Sequence, residues 1–591
     1  MRLFSAMLVL FFSIVSLALG IALRTVWAGP DTLVRTVEIE HTAPIIVIPG
    51  ETLTAHPGRQ TVTVVDPNPI NEVGVIVAYG RSADVMGWVK PARFTTVLHD
   101  DVNDSLYAVP RLGRDSQVPL PLNSDLWLEQ FRESEAVKVS LTADEDISVV
   151  VFADGKRAAP GVVQLSWPLD NVSPFAGLFV ALGIISMVIG FILLVIALAD
   201  IRRRRGPRRK TPTAPKRKAP KRLVSRRLAP AAPRRGRRRL ERTAIALPLL
   251  GTLALGSCAP ATDMAEQVNQ PGPEGASTAP APLPPYPAVT EAQFRTIIER
   301  VANQVLLADQ ALDGGLLESR VAKPALTLRE AQYALRDYDE ELGQILPVST
   351  TPIRLLVPQQ TREWPRVVFA VVQEGAEANS PSVGMVLRQE SARDNYQLIY
   401  QVLLAPDVIL PAMPTFDVGA PRLARDSKLL PVSPEDTVKG YADVLSEGSG
   451  AAAWKYFDTL TDDLYTLVGP DGQELRRESF GGDLELSLTI KATQEQIVAL
   501  STRENGALVF GVITETEEVR PVESGANINA TPAVRALTGQ PQSPDGFRAE
   551  YAMHVVWYVP PIGSDEKIRV VGYSYALVDA EELEPENDEE G

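Results

Sequence analysis

The chain has 591 residues, with 58 lysines and arginines against 73 aspartates and glutamates and a net charge of −15. That length admits about three or four globular units, and the single cysteine, Cys258, excludes an internal disulfide. The charge is uneven: 20 basic residues and one acid, Glu241, fall in residues 202–242, with 13 basic against 21 acidic side chains before them and 25 against 51 after. Acidic regions of this kind repel phosphates, which excludes nucleic acid as their partner.

Residues 1–28 hold an apolar run from Leu3 to Leu23, interrupted only by serines and a glycine and flanked by Arg2 and Arg24. Its length suits a transmembrane anchor of about 20 residues. A cleaved signal peptide is the alternative, because Val26 and Ala28 stand at cleavage offsets before Gly29. Residues 29–171 contain short β-branched runs, among them PIIVIPG, QTVTVVD, VGVIVAYG and ISVVVFADG, punctuated by Gly, Pro, Asn and Asp. Runs of this kind predict an all-β, sandwich-like domain. Residues 174–200 carry a second uncharged run long enough to span.

The basic segment 201–242 follows and fixes the expected topology, since such a block stays on the cytoplasmic side. Anionic lipid headgroups are its nearest partner, at about 1 kcal/mol per basic residue near the surface. Residues 243–264 then read TAIALPLLGTLALGSC and onward, with basic residues before a short apolar run and small residues at its end. That is the form of a bacterial export signal. LGSC at 255–258 has the form of a lipobox, which predicts lipidation of Cys258; the alternative is a third membrane helix running to Met264. Either way the remainder is expected outside the cytoplasm. Cleavage before Cys258 would make two products from one chain.

Residues 265–287 are Pro-rich and predict an extended stalk. Residues 288–430 and 431–582 each read as helices followed by strands. In the first, Thr290 and Gln293 form a capping-box pattern ahead of Phe294, Ile297, Ile298, Val301 and Val305 at helical spacing. In the second, Ser433 and Pro434 open a helix, and LELSLTIKA alternates as a strand. Residues 583–591 are an acidic tail.

Helices followed by an antiparallel sheet, twice over, resembles tandem nuclear-transport-factor-2-like domains across about residues 287–582. In that family helices pack into a cone-shaped sheet and often leave a pocket; the fold hosts enzymes and non-enzymes, so it implies no activity. The whole chain is also similar to a family of actinobacterial membrane-anchored envelope proteins. That similarity rests on RTVWAGPD at 24–31, GRSADVMGWV at 80–89 and SDLWLEQF at 124–131. It implies no assigned chemistry. Glycosyltransferase-type labels occur in that family, but this sequence has no phosphate-cradling glycine loop.

Trp88 and Trp127 stand among polar residues and are candidate ligand contacts, for instance by stacking on a sugar. The plainer reading is a core tryptophan with its N–H satisfied. Asp84, Asp125 and Glu129 are carboxylates near them. His41, His56, His99 and His554 are scattered, and no spacing among them has the form of a metal site. His554 lies in an alternating run and reads as packed. DYDEE at 337–341 reads as a solvated acidic face. Asp458, Asp462 and Asp463 follow helical sequence and read as an acidic helix end rather than a cation site.

The sequence therefore predicts a multidomain membrane protein of the cell envelope, with a sandwich-like domain between two spans and an α+β region after an internal export signal. No catalytic residue, cofactor or metal ligand is assigned. The expected role is binding or scaffolding of an envelope glycan or protein, with lipid headgroups held at the basic segment. The alternative is an envelope glycan- or lipid-modifying enzyme using carboxylates in a C-terminal pocket, which a pocket with converging acids would favour.

Overall fold

The computed structural model describes residues 2–27, 30–40, 43–66, 74–169, 174–204, 285–373, 380–406, 408–523 and 526–585. Cys258, the Pro-rich segment and most of the basic segment lie outside these residues. The chain divides into two compact units, residues 1–27 with 173–283 and residues 28–172 with 284–591.

The first unit begins with helix α1 (Arg2–Thr25).

In the second unit, two sheets pack face to face. One has the order β1 (Thr32–Glu38), β10 (Val162–Pro168), β3 (Gln60–Val65) and β8 (Ala136–Leu141). The other has the order β6 (Ser105–Arg111), β5 (Phe94–Asp100), β2 (Ile45–Ile48), β9 (Ile147–Phe152), β4 (Val75–Arg81) and β7 (Glu129–Glu133). Alternation decides which residues face inward: Val62 and Val64 of β3 meet Val149 and Val151 of β9 in a shared core. The module is not purely β. Short α2 (Gly50–Leu53) follows β2, and α3 (Ser82–Val89) covers the outer face of the six-stranded sheet. Val85, Trp88 and Val89 of α3 supply the apolar stripe at i, i+3 and i+4.

Helix α4 (Pro174–Arg204) packs antiparallel on α1 in the first unit. At 24 and 31 residues, α1 and α4 are both long and apolar enough to cross a membrane. Small residues line their contact: Ser13 Oγ donates to Gly183 O and Ser16 Oγ to Phe179 O, both at 2.9 Å. Polar and small side chains at such a contact let two apolar helices approach closely where burial of apolar surface gives no drive. A Cβ on Gly20 would lie 2.7 Å from Val180 Cγ2. Gly20→Leu is therefore expected to part the pair at a cost of about 1–3 kcal/mol. Disulfide cross-linking between Ser16→Cys and Phe179→Cys should fall when it is introduced.

The C-terminal region of the second unit starts with α5 (Glu291–Ala311) and α6 (Ala325–Tyr338). The capping box on Thr290 and Gln293 is present and opens α5; such a cap contributes about 1 kcal/mol. Strands β11 (Ile353–Pro358), β12 (Arg366–Gln373), β13 (Ser382–Gln389) and β14 (Gln397–Leu404) follow as a meander. The order then repeats: α7 (Pro434–Glu447), with Ser433 as N-cap and Pro434 at the first position, α8 (Asp463–Val468), α9 (Pro470–Phe480), and the strands β15 (Leu484–Ser501) and β16 (Ala507–Pro521). A small excursion contains β17 (Ile528–Asn529), α10 (Pro532–Thr538) and β18 (Gln542–Ser543), before β19 (Phe547–Val559) and β20 (Arg569–Glu582) complete the second meander.

The two meanders form one eight-stranded sheet, β11-β12-β13-β14-β20-β19-β16-β15. It continues across the middle through two register pairs only, Leu403 with Tyr573 and Leu404 with Gly572. The halves fold toward each other over a common core, where Phe369 and Phe510 rings stand 5.1 Å apart. Helices cover the outer faces: α5 packs on β12 and β13, and α7 on β16 and β19. Every residue of β12 is buried because this strand is covered on both faces.

Candidate functional site

The seam between the two half-sheets holds a cavity of about 1170 Å³. Its walls come from α6, the segment 343–346, the ends of β14 and β20, and β19. Helix α6 is placed by two side chains on its buried face. Gln332 Nε2 donates to Leu577 O at 3.2 Å and its Oε1 accepts from Gln344 N at 2.8 Å, tying the helix to β20 and to the segment beyond it. Arg329 ion-pairs with Asp309 and also donates to Gln401 Oε1 at 3.0 Å.

Most of the lining is apolar, with Leu328, Leu335, Leu404 and Leu577 among it. A few polar groups converge. Arg354 donates to Gln373 Oε1 at 2.7 Å and meets no carboxylate among the described residues. Ser574 Oγ is buried with no hydrogen-bond partner among them. Its cross-strand neighbour His554 is 1 % exposed, packs edge-on to Tyr400 at 5.6 Å, and has its pKa pushed down to about 4 by burial. Burial likewise raises the Tyr551 phenol to about 12. It raises Tyr575 too, whose hydroxyl donates to Glu515 Oε2 at 2.7 Å. Among the described residues the lining contains one carboxylate residue, Asp463.

The residues singled out in the sequence lie elsewhere. Trp88 and Trp127 are 1 % and 5 % exposed, with ring centroids 5.6 Å apart. Trp127 Nε1 donates to Pro121 O at 2.9 Å, and the Arg393 guanidinium lies 5.1 Å from the Trp88 ring. Their carboxylate neighbours join the β module to the C-terminal region. Asp84 accepts from Arg366 Nη2 at 2.6 Å and Tyr286 OH at 2.9 Å. Asp125 accepts from Arg320 through both oxygens, from Arg300 at 3.0 Å and from Tyr396 N at 2.9 Å. Glu129 lies beside Tyr79 and helps burial raise that phenol to about 12.

Asp458 accepts from Leu460 N at 3.2 Å. Asp462 caps α8 and accepts from Tyr441 OH at 2.6 Å; burial raises its pKa. Asp337 to Glu341 are exposed around the end of α6. Cys258 and His41 lie outside the described residues.

One grouping is not suggested by the spacing of the histidines in the sequence. The fold brings His56 and His99 to Asp104, each ring Nε2 lying 3.1 Å from Asp104 Oδ1. Hydrogen bonds from His99, Arg35 and His56 pull the Asp104 carboxyl down to about 2. Nothing in the sequence signals this, because His56 and His99 stand 43 positions apart on separate elements.

Residues 285–582 match the family model of a domain of unknown function, DUF8094, and the chain belongs to that family. No curated protein and no solved structure matches the chain.

Proposed function

We propose that this DUF8094 protein is a membrane-anchored cell-envelope protein without catalysis of its own, which holds an amphipathic anionic ligand in the seam cavity of its C-terminal region. The cavity carries this reading. Its volume of about 1170 Å³ exceeds the usual range of small-molecule sites, roughly 300–1,000 Å³, which suits an acyl or isoprenoid chain better than a single sugar. The apolar walls match such a chain. Arg354, with no carboxylate partner among the described residues, supplies a cation for the head group. The unsatisfied Ser574 Oγ supplies a donor inside.

Membrane attachment is supported by α1 and α4 together, each of spanning length and apolar character. The block of 20 basic residues that begins at the end of α4 favours the cytoplasmic side for that end of the helix. Both acidic folded regions then face outward, the basic segment meets anionic headgroups, and a lipid on Cys258 adds a further anchor. The halves of the C-terminal sheet keep the tandem nuclear-transport-factor-2-like reading as part of this proposal, as is membership of an actinobacterial envelope family. A glycan-modifying enzyme would need a pair of converging carboxylates. With Asp463 as the one acidic lining residue among those described, binding is the better-supported reading.

The test uses full-length protein in detergent and a fluorescent long-chain fatty acid as probe. Wild type is expected to bind it saturably. Leu328→Trp, which narrows the cavity, and Arg354→Ala, which removes the cation, are each expected to weaken binding at least tenfold, on the order of 1.4 kcal/mol. No saturable binding, or equal binding by both variants, would sink the reading.

A further inference from the structure

We propose that His56, His99 and Asp104 form a binding site for one divalent transition-metal ion of the zinc type, pinning two loops of the β module together. The site lies outside the family match and apart from the seam cavity. His56 sits between α2 and β3, His99 near the end of β5, and Asp104 in the turn between β5 and β6. Asp104 has φ +46°, the left-handed region that aspartate tolerates better than most residues.

The distances suit a metal. Zinc bonds imidazole nitrogen and carboxylate oxygen at about 2.0–2.2 Å, so two tetrahedral ligand atoms stand roughly 3.3 Å apart. Both Nε2–Oδ1 separations here are 3.1 Å, and all three ligand atoms lie within 4.8 Å of one another.

The outer contacts are those that a metal site needs. His99 Nδ1 stands 2.9 Å from Asp101 Oδ1. With an ion bound, the Nδ1 proton would donate to Asp101 and the Nε2 lone pair would face the ion in place of its hydrogen bond to Asp104. An aspartate behind a ligating histidine is the arrangement that fixes ring orientation and raises ligand basicity. Arg35 holds the other Asp104 oxygen, Oδ2, and also the Asp104 backbone carbonyl, so the carboxylate is oriented with Oδ1 left for the ion. The Trp167 ring walls the cluster, 5.1 Å from His56 and 6.1 Å from His99.

Two imidazoles and one carboxylate select zinc and its neighbours over magnesium or calcium, which prefer all-oxygen sites. Three protein ligands leave a fourth position for water, reached past His56, whose side chain is 28 % exposed. The ion would tie the segment after α2 to the β5–β6 turn in a chain whose single cysteine allows no internal disulfide.

The experiment uses full-length protein in detergent without a histidine tag, stripped with a chelator and desalted. Zinc is then titrated, with metal content read by mass spectrometry and unfolding by thermal shift. Wild type should retain one equivalent and melt higher with zinc, while magnesium and calcium do nothing. His56→Ala, on a partly exposed residue, and Asp104→Asn should both lose the equivalent. Asp101→Asn should weaken zinc affinity about 10–100-fold without abolishing it. If wild type retains no zinc, or His56→Ala retains it fully, the cluster is a hydrogen-bonded clasp only and the proposal is overturned.

Discussion

Asp125→Asn is expected to release the C-terminal region from the β module. The Asp125 side chain is fully buried and answers two guanidinium groups, Arg300 and Arg320, together with the Tyr396 backbone N–H. An amide of the same shape leaves both arginines without their counter-charge. Removing one partner of a buried ion pair costs about 3–5 kcal/mol, far more than the pair contributes relative to an apolar contact. The contacts left include the Asp84–Arg366 and Asp115–Arg393 pairs, the Gln293 Nε2 hydrogen bond to Leu126 O, and the close approach of Gly87 to Trp364, where a Cβ would stand 2.7 Å from the ring. With a protease site inserted in residues 205–284, wild-type halves should stay together after cleavage and elute as one species. The Asp125→Asn halves should elute separately. Co-elution of the variant halves with an unchanged denaturation midpoint would falsify this account of the interface.

His554→Phe should remove an acid-sensitive step from the stability of the chain. Burial holds the His554 pKa at about 4 against an ordinary value of 6.5. The unfolded chain therefore takes up a proton below pH 6.5 that the folded chain refuses, so stability falls as pH drops from 6.5 to 4. The shift corresponds to about 3 kcal/mol at 1.36 kcal/mol per pKa unit. Phenylalanine fills the same space against Tyr400 and has no proton to gain. Guanidinium denaturation at pH 7 and pH 4.5 should show a smaller acid loss in the variant than in wild type. Equal losses would mean that His554 is not the group responsible.

What the sequence made legible was local. The capping box at Thr290, the Ser433 and Pro434 helix start and the alternation of LELSLTIKA each lie within a few residues, and each names an element that the structure contains. GRSADVMGWV lies in the region expected to be all-β, yet Ser82–Val89 is a helix; its stripe of Val85, Trp88 and Val89 is only one turn long, too short to stand out against the flanking β-branched runs. Asp84 and Asp125 drew attention beside tryptophans. Their partners Arg300, Arg320 and Arg366 are 175 to 282 positions away, so the ion pairs had no sequence signature. The cavity is hidden for the same reason, since its walls run from Ala325 to Leu577. So is the histidine cluster, whose members meet only when β3 and β5 are placed.

The eight-stranded sheet is joined at its middle by the fourth strand of each half, β14 against β20, running antiparallel. That is the geometry of an isologous dimer contained in one chain. At Gly572 a Cβ would stand 2.5 Å from Leu403 O, so the junction tolerates no side chain there. Each half, if produced alone, would carry β14 or β20 as a bare edge with unanswered N–H and C=O groups. Such a fragment has a ready partner in its own copy, and within the whole chain the seam answers both of these edges.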